Sequence, residues 1–511
     1  MDMVVKTASF GINGIDGYLV EVEAASARGF SRIDLVGLPD AAVKESKNRV
    51  VNAMRSCGLR IPETHITFNL APADIKKEGP LYDLPLTVCL MLLGGHVRRD
   101  PGKSAFVGEL SLSGEVRAVD GVLPMAIRAK ELGLERLFVP AGNADEAAVV
   151  KGIDIYAVRD IVSLKDQLNG LTSPEPVQPS SSEHEEQTGS QPDFSDVKGQ
   201  FFVKRAMEIA AAGMHNILLI GPPGSGKSML AKRLPSILPD MSFEEMMETT
   251  KIHSIAGRLR GQGLITTRPF RSPHHSVTAV GMGGGGSAGI KPGEVSLAHN
   301  GVLFLDELPE FPRSVLEVLR QPMEDHEISI ARSGQSCTYP CNIMVVAAMN
   351  PCPCGYFGDD THNCTCTSKS IRRYLGKVSG PLLDRLDLHV EVPSVTFDEL
   401  RSDNTDEPSS EIKKRVDSAR AIQRERFKNS GTVSNSRIRP AELGQFCRID
   451  REAENLLRNA FANLGMTARG YDRVLKVART IADLAGSEII RSEHVLEAVQ
   501  YRSLDRKYWD N

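Results

Sequence analysis

At 511 residues the chain is too long for one ordinary domain, and a prior of ~150 residues per domain gives about three units. Hydrophobic residues make up 41% and charged residues 25%, near the globular average, which excludes a disordered, fibrous or collagen-like chain. The 61 basic and 65 acidic residues nearly cancel, to a net charge of −4, so a nucleic-acid partner would have to be held by local patches or a narrow channel.

The opening run MDMVVKTASFGINGIDG has no apolar signal-peptide core. The longest apolar runs, such as residues 84–93, fall short of the ~18–20 residues of a membrane span. Nine cysteines without an export signal point to reduced thiols in a cytoplasm. Residues 1–170 form a first unit, in which 106–140 (FVGELSLSGEVRAVDGVLPMAIRAKELGLERLFVP) reads as strand, turn and helix. Residues 171–194 follow, with five acids, four prolines and no Lys or Arg, a composition expected of a flexible acidic, Pro-rich linker. Beyond it, 216–220 (NILLI), 302–305 (VLFL) and 343–347 (IMVVA) are apolar on both faces, as buried parallel strands are. Helical patterns such as 312–324 lie between them, which predicts an α/β sheet with crossover helices over 195–398. A weaker polar break at 401–410 leads into a helical tail, 399–511.

The first strand of that sheet runs into Gly221, four residues, then Gly226-Lys227-Ser228, with a predicted helix behind. This is a Walker A loop in its confirming context. Gly221, Pro222, Pro223, Gly224, Ser225, Gly226, Lys227, Ser228 and Met229 are the expected ATP-binding loop. Glycines let backbone N–H groups turn toward phosphates, Lys227 neutralises β/γ charge, and Ser228 can ligate Mg²⁺. At the end of the next strand Asp306 suits Mg²⁺ and Glu307 suits activation of the attacking water. A third strand ends in Asn350, which can orient that water. An Asx-turn before Pro351 is the bland alternative.

A P-loop strand, an Asp-Glu strand and an Asn-ended strand together resemble the AAA+ ATPases. The resemblance implies that Asn350 is sensor 1. It also makes Arg385, in 379–387 (SGPLLDRLD), the arginine finger offered to the next subunit. Arg469, in 467–478 (TARGYDRVLKVA), aligns best with sensor 2, with Arg473 as runner-up. A finger supplied in trans implies a ring, usually a homo-hexamer. Residues 197–200 (VKGQ) resemble the box that flanks the adenine.

Two insertions interrupt this core. One carries Gly281 to Gly286 and Lys291; the other, 326–336 (HEISIARSGQS), resembles the hairpin before sensor 1 in the clade of magnesium chelatase and MCM helicases. In such rings both face the pore, which makes Lys291 and Arg332 candidate DNA-phosphate contacts. The segment 268–276 (RPFRSPHHS) is open between a turn-packing and a pore or intersubunit role. Cys352, Cys354, Cys364 and Cys366 form CxC-x9-CxC directly after Asn350. Four close thiols in a coreless loop suit tetrahedral Zn²⁺, with a metal-free loop or an iron–sulfur site as alternatives. Cys337 and Cys341 could substitute as ligands. The basic stretch 413–439 has nine Lys/Arg against two acids and is open between a DNA track and a solvated face.

The run 106–140 resembles the proteolytic domain of Lon protease, an α+β (ribosomal protein S5 domain 2-like) fold. Where that enzyme carries its serine, this chain has Glu78-Gly79-Pro80-Leu81; where it carries its lysine, Asp120-Gly121-Val122-Leu123. A dyad without nucleophile or base cannot form an acyl-enzyme. An inactive binding and assembly module is therefore expected. Lys76-Lys77 and Arg98-Arg99 could touch nucleic acid there, with solvated surface the simpler reading.

The order of Lon-like unit, linker, AAA+ core with CxC…CxC, and lid resembles the YifB/ComM family over nearly the whole chain. That resemblance implies a bacterial, ATP-driven hexameric DNA helicase that promotes branch migration in the recombination of natural transformation, with DNA and recombination proteins as partners. A magnesium chelatase motor and a protein-remodelling ATPase are the rival readings.

Overall fold

The computed structural model describes residues 3–178, 192–259, 261–286, 289–332, 335–359, 362–394, 406–464 and 466–509. Most of the expected linker, 179–191, and part of the break at 401–410 lie outside the described residues. Among the described residues no helix is long and apolar enough to cross a membrane.

The N-terminal part builds a seven-stranded mixed sheet. Its strand order is Arg32–Val36, His65–Ala71, Asp16–Ala27, Met3–Asn13, Ser104–Phe106, Arg136–Pro140 and Asp154–Val158. Met3–Asn13 and Asp16–Ala27 pair antiparallel about a tight turn at Gly14, whose φ of 66° favours glycine. Alternation along Asp16–Ala27 sends Val20, Val22 and Ala24 fully inward. The apolar run 84–93 becomes the helix Asp83–Leu93, buried almost all round because it lies against the strands Met3–Asn13 and Asp16–Ala27 and the helix Ala41–Ser56. Its first residue, Asp83, is fully buried yet satisfied. Arg49 donates to it at 2.7 and 3.0 Å and the Leu110 N–H at 3.0 Å.

A second sheet has five parallel strands in the order Phe270–Arg271, Val302–Leu305, Met344–Met349, Ile217–Ile220 and Leu388–Glu391. The three central strands are buried at every position, which is why they read as unbroken apolar runs. Parallel pairing sets the carboxyl ends of Ile217–Ile220, Val302–Leu305 and Met344–Met349 side by side, the place where open α/β sheets bind ligands. The C-terminal helices Ser409–Phe427 and Ala468–Leu484 share one apolar core with this sheet through the helix Phe201–Gly213.

The two sheet-bearing parts touch. The Gly121 N–H donates to the Ser254 carbonyl at 3.1 Å, and the Ser254 hydroxyl donates to buried Glu146. Lys291 of the first insertion pairs with Asp120 at 2.9 Å.

Candidate nucleotide site

The Ile217–Ile220 strand ends where Gly221 begins the loop, and the helix Lys227–Arg233 takes over after Gly226. Gly224 and Gly226 have φ of 78° and 88°, so the loop turns where side-chain-bearing residues rarely go. Gly221 is required for space: a Cβ there would lie 2.1 Å from the Val392 carbonyl oxygen. Lys227 is 9% exposed and donates from Nζ to the Gly221 and Pro222 carbonyls, each at 2.8 Å, and to Asn350 Oδ1 at 3.2 Å. Burial pushes its ammonium down to about 8, against the opposing pull of Asp306. A phosphate entering the loop would restore the charge that burial disfavours. The Ser228 hydroxyl donates to Asp306 Oδ2 at 2.6 Å, which sets a hydroxyl and a carboxylate side by side, as a hydrated Mg²⁺ requires. Pro222 and Ser225 are buried, whereas Pro223, Gly224 and Met229 are exposed.

Glu307 follows with φ 54°, a left-handed conformation that a non-glycine residue holds only where its surroundings fix it. It opens onto a cleft of roughly 530 Å³ lined also by Glu310, Asn350, Pro353, Arg373, Tyr374 and Lys377. Arg373 and Lys377 escaped the sequence reading. Arg373 lies in the last turn of the helix Ser368–Leu375 and Lys377 two residues past its end, and their spacing of four, which would set cations on one face of a longer helix, could have flagged them. His275, from the segment left open between two roles, reaches Glu307 at 3.5 Å and lies tilted against His274 with ring centroids 4.0 Å apart. The arginines of that segment are structural. Arg268 holds Glu245 and the Asn300 carbonyl, and Arg271 forms a two-pronged pair with Glu294 at 2.7 and 2.8 Å.

The other expected residues fall into separate groups. Arg385 is 6% exposed and donates to Glu324 and to the Pro381 carbonyl. Arg469 is exposed, and after Arg385 its charge also holds the Glu324 carboxyl below its usual range. The charges of the finger and lid candidates thus both act on one carboxylate, which Arg385 contacts directly. Arg473, the runner-up, points elsewhere, at 3.5 Å from Asp387. Arg332 ends the strand Glu327–Arg332, which pairs with Gln335–Pro340, and its side chain lies outside the described residues. Within 413–439, six of the nine cations, Lys413, Lys414, Arg415, Arg426, Lys428 and Arg439, pair with carboxylates of the chain itself. That stretch is therefore largely spent on internal ion pairs. Lys77 differs from both readings of its pair. It is fully buried, with Nζ donating to the Pro72 and Ile75 carbonyls, while Lys76 stays outside and pairs with Glu78.

The sulfurs of Cys352, Cys354, Cys364 and Cys366 all lie within 4.8 Å of one another. Cys352 Sγ is 3.3 Å from Cys354 and 3.7 Å from Cys364. The Tyr356 N–H, with that of Thr365, pulls Cys354 down to about 5, while burial pushes Cys352 up to about 12. Cys337 and Cys341 are buried in and just after the hairpin and are not among the four.

A five-stranded parallel sheet whose strand ends bring Lys227, Ser228, Asp306, Glu307 and Asn350 together defines an AAA+ ATPase core. Comparison with known proteins narrows the class. The profile described as "Magnesium chelatase, subunit ChlI" matches residues 193–400, "Subunit ChlI of Mg-chelatase" matches 20–143, and "Magnesium chelatase, subunit ChlI C-terminal" matches 406–502. The chain is 40% identical over 511 residues to YifB of Escherichia coli K12, covering 99% of this chain and 98% of that protein. It is 40% identical over 499 residues to "Competence protein ComM" of Haemophilus influenzae Rd, covering 96% of each. Over 166 residues, 30% of this chain and 21% of the relative, it is 25% identical to Lon protease of Mycolicibacterium smegmatis. The chain belongs to the YifB/ComM family of magnesium-chelatase-type AAA+ proteins.

Proposed function

We propose that this chain is an ATP-hydrolysing motor that moves on DNA as a homo-hexamer in a cytoplasm and drives branch migration during recombination of incoming DNA. In this reading residues 1–170 are an inactive Lon-like module, 171–194 the linker, 195–398 the motor and 399–511 the lid. The observation that carries the catalytic half is the convergence of buried Lys227 on Asn350 with Ser228 bonded to Asp306, beside a cleft open to Glu307. ATP with Mg²⁺ fits this arrangement. Ser228 and Asp306 would hold the ion, which neutralises phosphate charge when bound. Lys227 and the loop N–H groups orient the phosphates, and Glu307 takes a proton from the attacking water. Arg385 serves as the arginine finger offered to a neighbouring copy, and Arg469 is the sensor 2 residue of the lid, with Arg473 as runner-up. The four thiols hold Zn²⁺.

The DNA half is supported by near full-length similarity to a relative named for competence. Lys291 and, by register, Arg332 lie on the two inserts that would face the strand. The matched profiles favour one rival, a chelatase-type motor acting on a non-DNA partner. The deciding assay places purified protein on labelled three- and four-stranded junctions with and without ATP. ATP-dependent strand exchange, together with DNA-stimulated hydrolysis, is the expected result. Hydrolysis indifferent to DNA would overturn the reading in favour of its rival.

A further inference from the structure

The four-thiol loop is packed onto the phosphate loop. Cys352 comes two residues after Asn350 and is fully buried, and the Gly355 N–H donates back to its carbonyl at 3.0 Å. Gly355 has φ 90°, and a Cβ there would lie 2.4 Å from Cδ of Pro223, in the middle of the Walker A loop. Pro353 lines the cleft with Glu307 and Asn350. On the opposite flank Phe357 meets Tyr508 edge-on at 6.2 Å, and Tyr508 donates to Glu391 at 2.9 Å, on the strand beside the phosphate loop. Among the described residues of 352–367 the one fully buried apolar side chain is that of Cys352 itself, so apart from the Phe357 contact the four sulfurs are what the loop has to hold its shape.

We propose that a thiophilic divalent metal held by Cys352, Cys354, Cys364 and Cys366 is a brace for the phosphate loop, so that metal occupancy sets nucleotide affinity. The inference rests on the zinc reading above and adds the coupling to the ATP site. With the metal bound, the deprotonated sulfurs fix the turn at 352–355 and press Gly355 against the Pro223 ring. Without it, four unconstrained thiols leave Pro223, Pro353 and the backbone of Asn350 unsupported.

The test uses the full-length protein, metal analysis and titration with a fluorescent ATP analogue in Mg²⁺. Native protein is expected to carry one metal per chain. Releasing it with a mercurial and a chelator, or by Cys364→Ser, is expected to weaken nucleotide binding at least ~10-fold. The Gly355→Ala variant separates the brace from the metal. It is expected to keep its metal and its folded size while losing a similar factor in affinity, because its new methyl meets Pro223 and its backbone is strained. Native protein free of metal would overturn the zinc reading and this inference with it. Metal-loaded native protein whose stripped form and Gly355→Ala variant bind nucleotide as before would overturn the brace alone.

Discussion

Lys77 and Lys227 occupy similar pockets in the two sheet-bearing parts of the molecule. Each ammonium is buried, each donates to two backbone carbonyls a few residues away, and burial depresses both. Around Lys77 the charge of Asp74 opposes that effect of burial. Around Lys227 stand Asn350, Asp306, two left-handed glycines and an open cleft. A buried lysine is therefore not a site in itself. What sets Lys227 apart is that strand ends from distant parts of the chain converge on it, whereas among the described residues no such convergence of chemical groups surrounds Lys77.

The sharpest way to test the contrast is to remove chemistry while keeping the pocket. Glu307→Gln should bind ATP and turn it over ~10²–10⁴-fold more slowly in a single-turnover assay. Undiminished turnover would take the base role away from Glu307. Lys227 gives the next effect, on binding. Its neutral form grows above about 8 in the free protein, and bound phosphate favours the charged form. Affinity should thus be flat below that pH and fall ~10-fold per unit above it, as binding takes up a proton. A flat titration to pH 9.5 would break the comparison from the Lys227 side. From the other side, Lys77→Met should leave nucleotide affinity intact. It should cost about 1–3 kcal/mol in denaturant unfolding, because the Pro72 and Ile75 carbonyls lose their donor. The smallest effect lies where the two parts meet. Asp120→Asn frees Lys291 from an exposed pair worth at most ~1 kcal/mol, so DNA affinity at low salt should rise no more than ~5-fold.

What could be read in advance followed from locality. Walker A is legible because backbone sterics demand glycine at fixed spacings, and Asp306, Glu307 and Asn350 because each ends an unbroken apolar run. The four cysteines are close in sequence, and their sulfurs are close in space. Contacts between distant segments left no such trace. Nothing around Lys76-Lys77 announces that one faces water and the other backbone carbonyls. Nor does 379–387 reveal that Arg385 is held by Glu324, sixty-one residues earlier. His275 beside Glu307 and Lys291 beside Asp120 arise from folding across inserts that local periodicity does not address.

The strand Leu388–Glu391 starts three residues after Arg385 and finishes alongside Ile220, with the Val392 carbonyl closing over Gly221. Asp387 and Leu388 are already tied to the Asn216 carbonyl at 2.8 and 3.1 Å. Arg385 is thus mounted on a stiff, hydrogen-bonded push-rod whose far end is the wall of the phosphate cradle. A pull on Arg385 would be carried toward the cradle through that hydrogen-bonded strand.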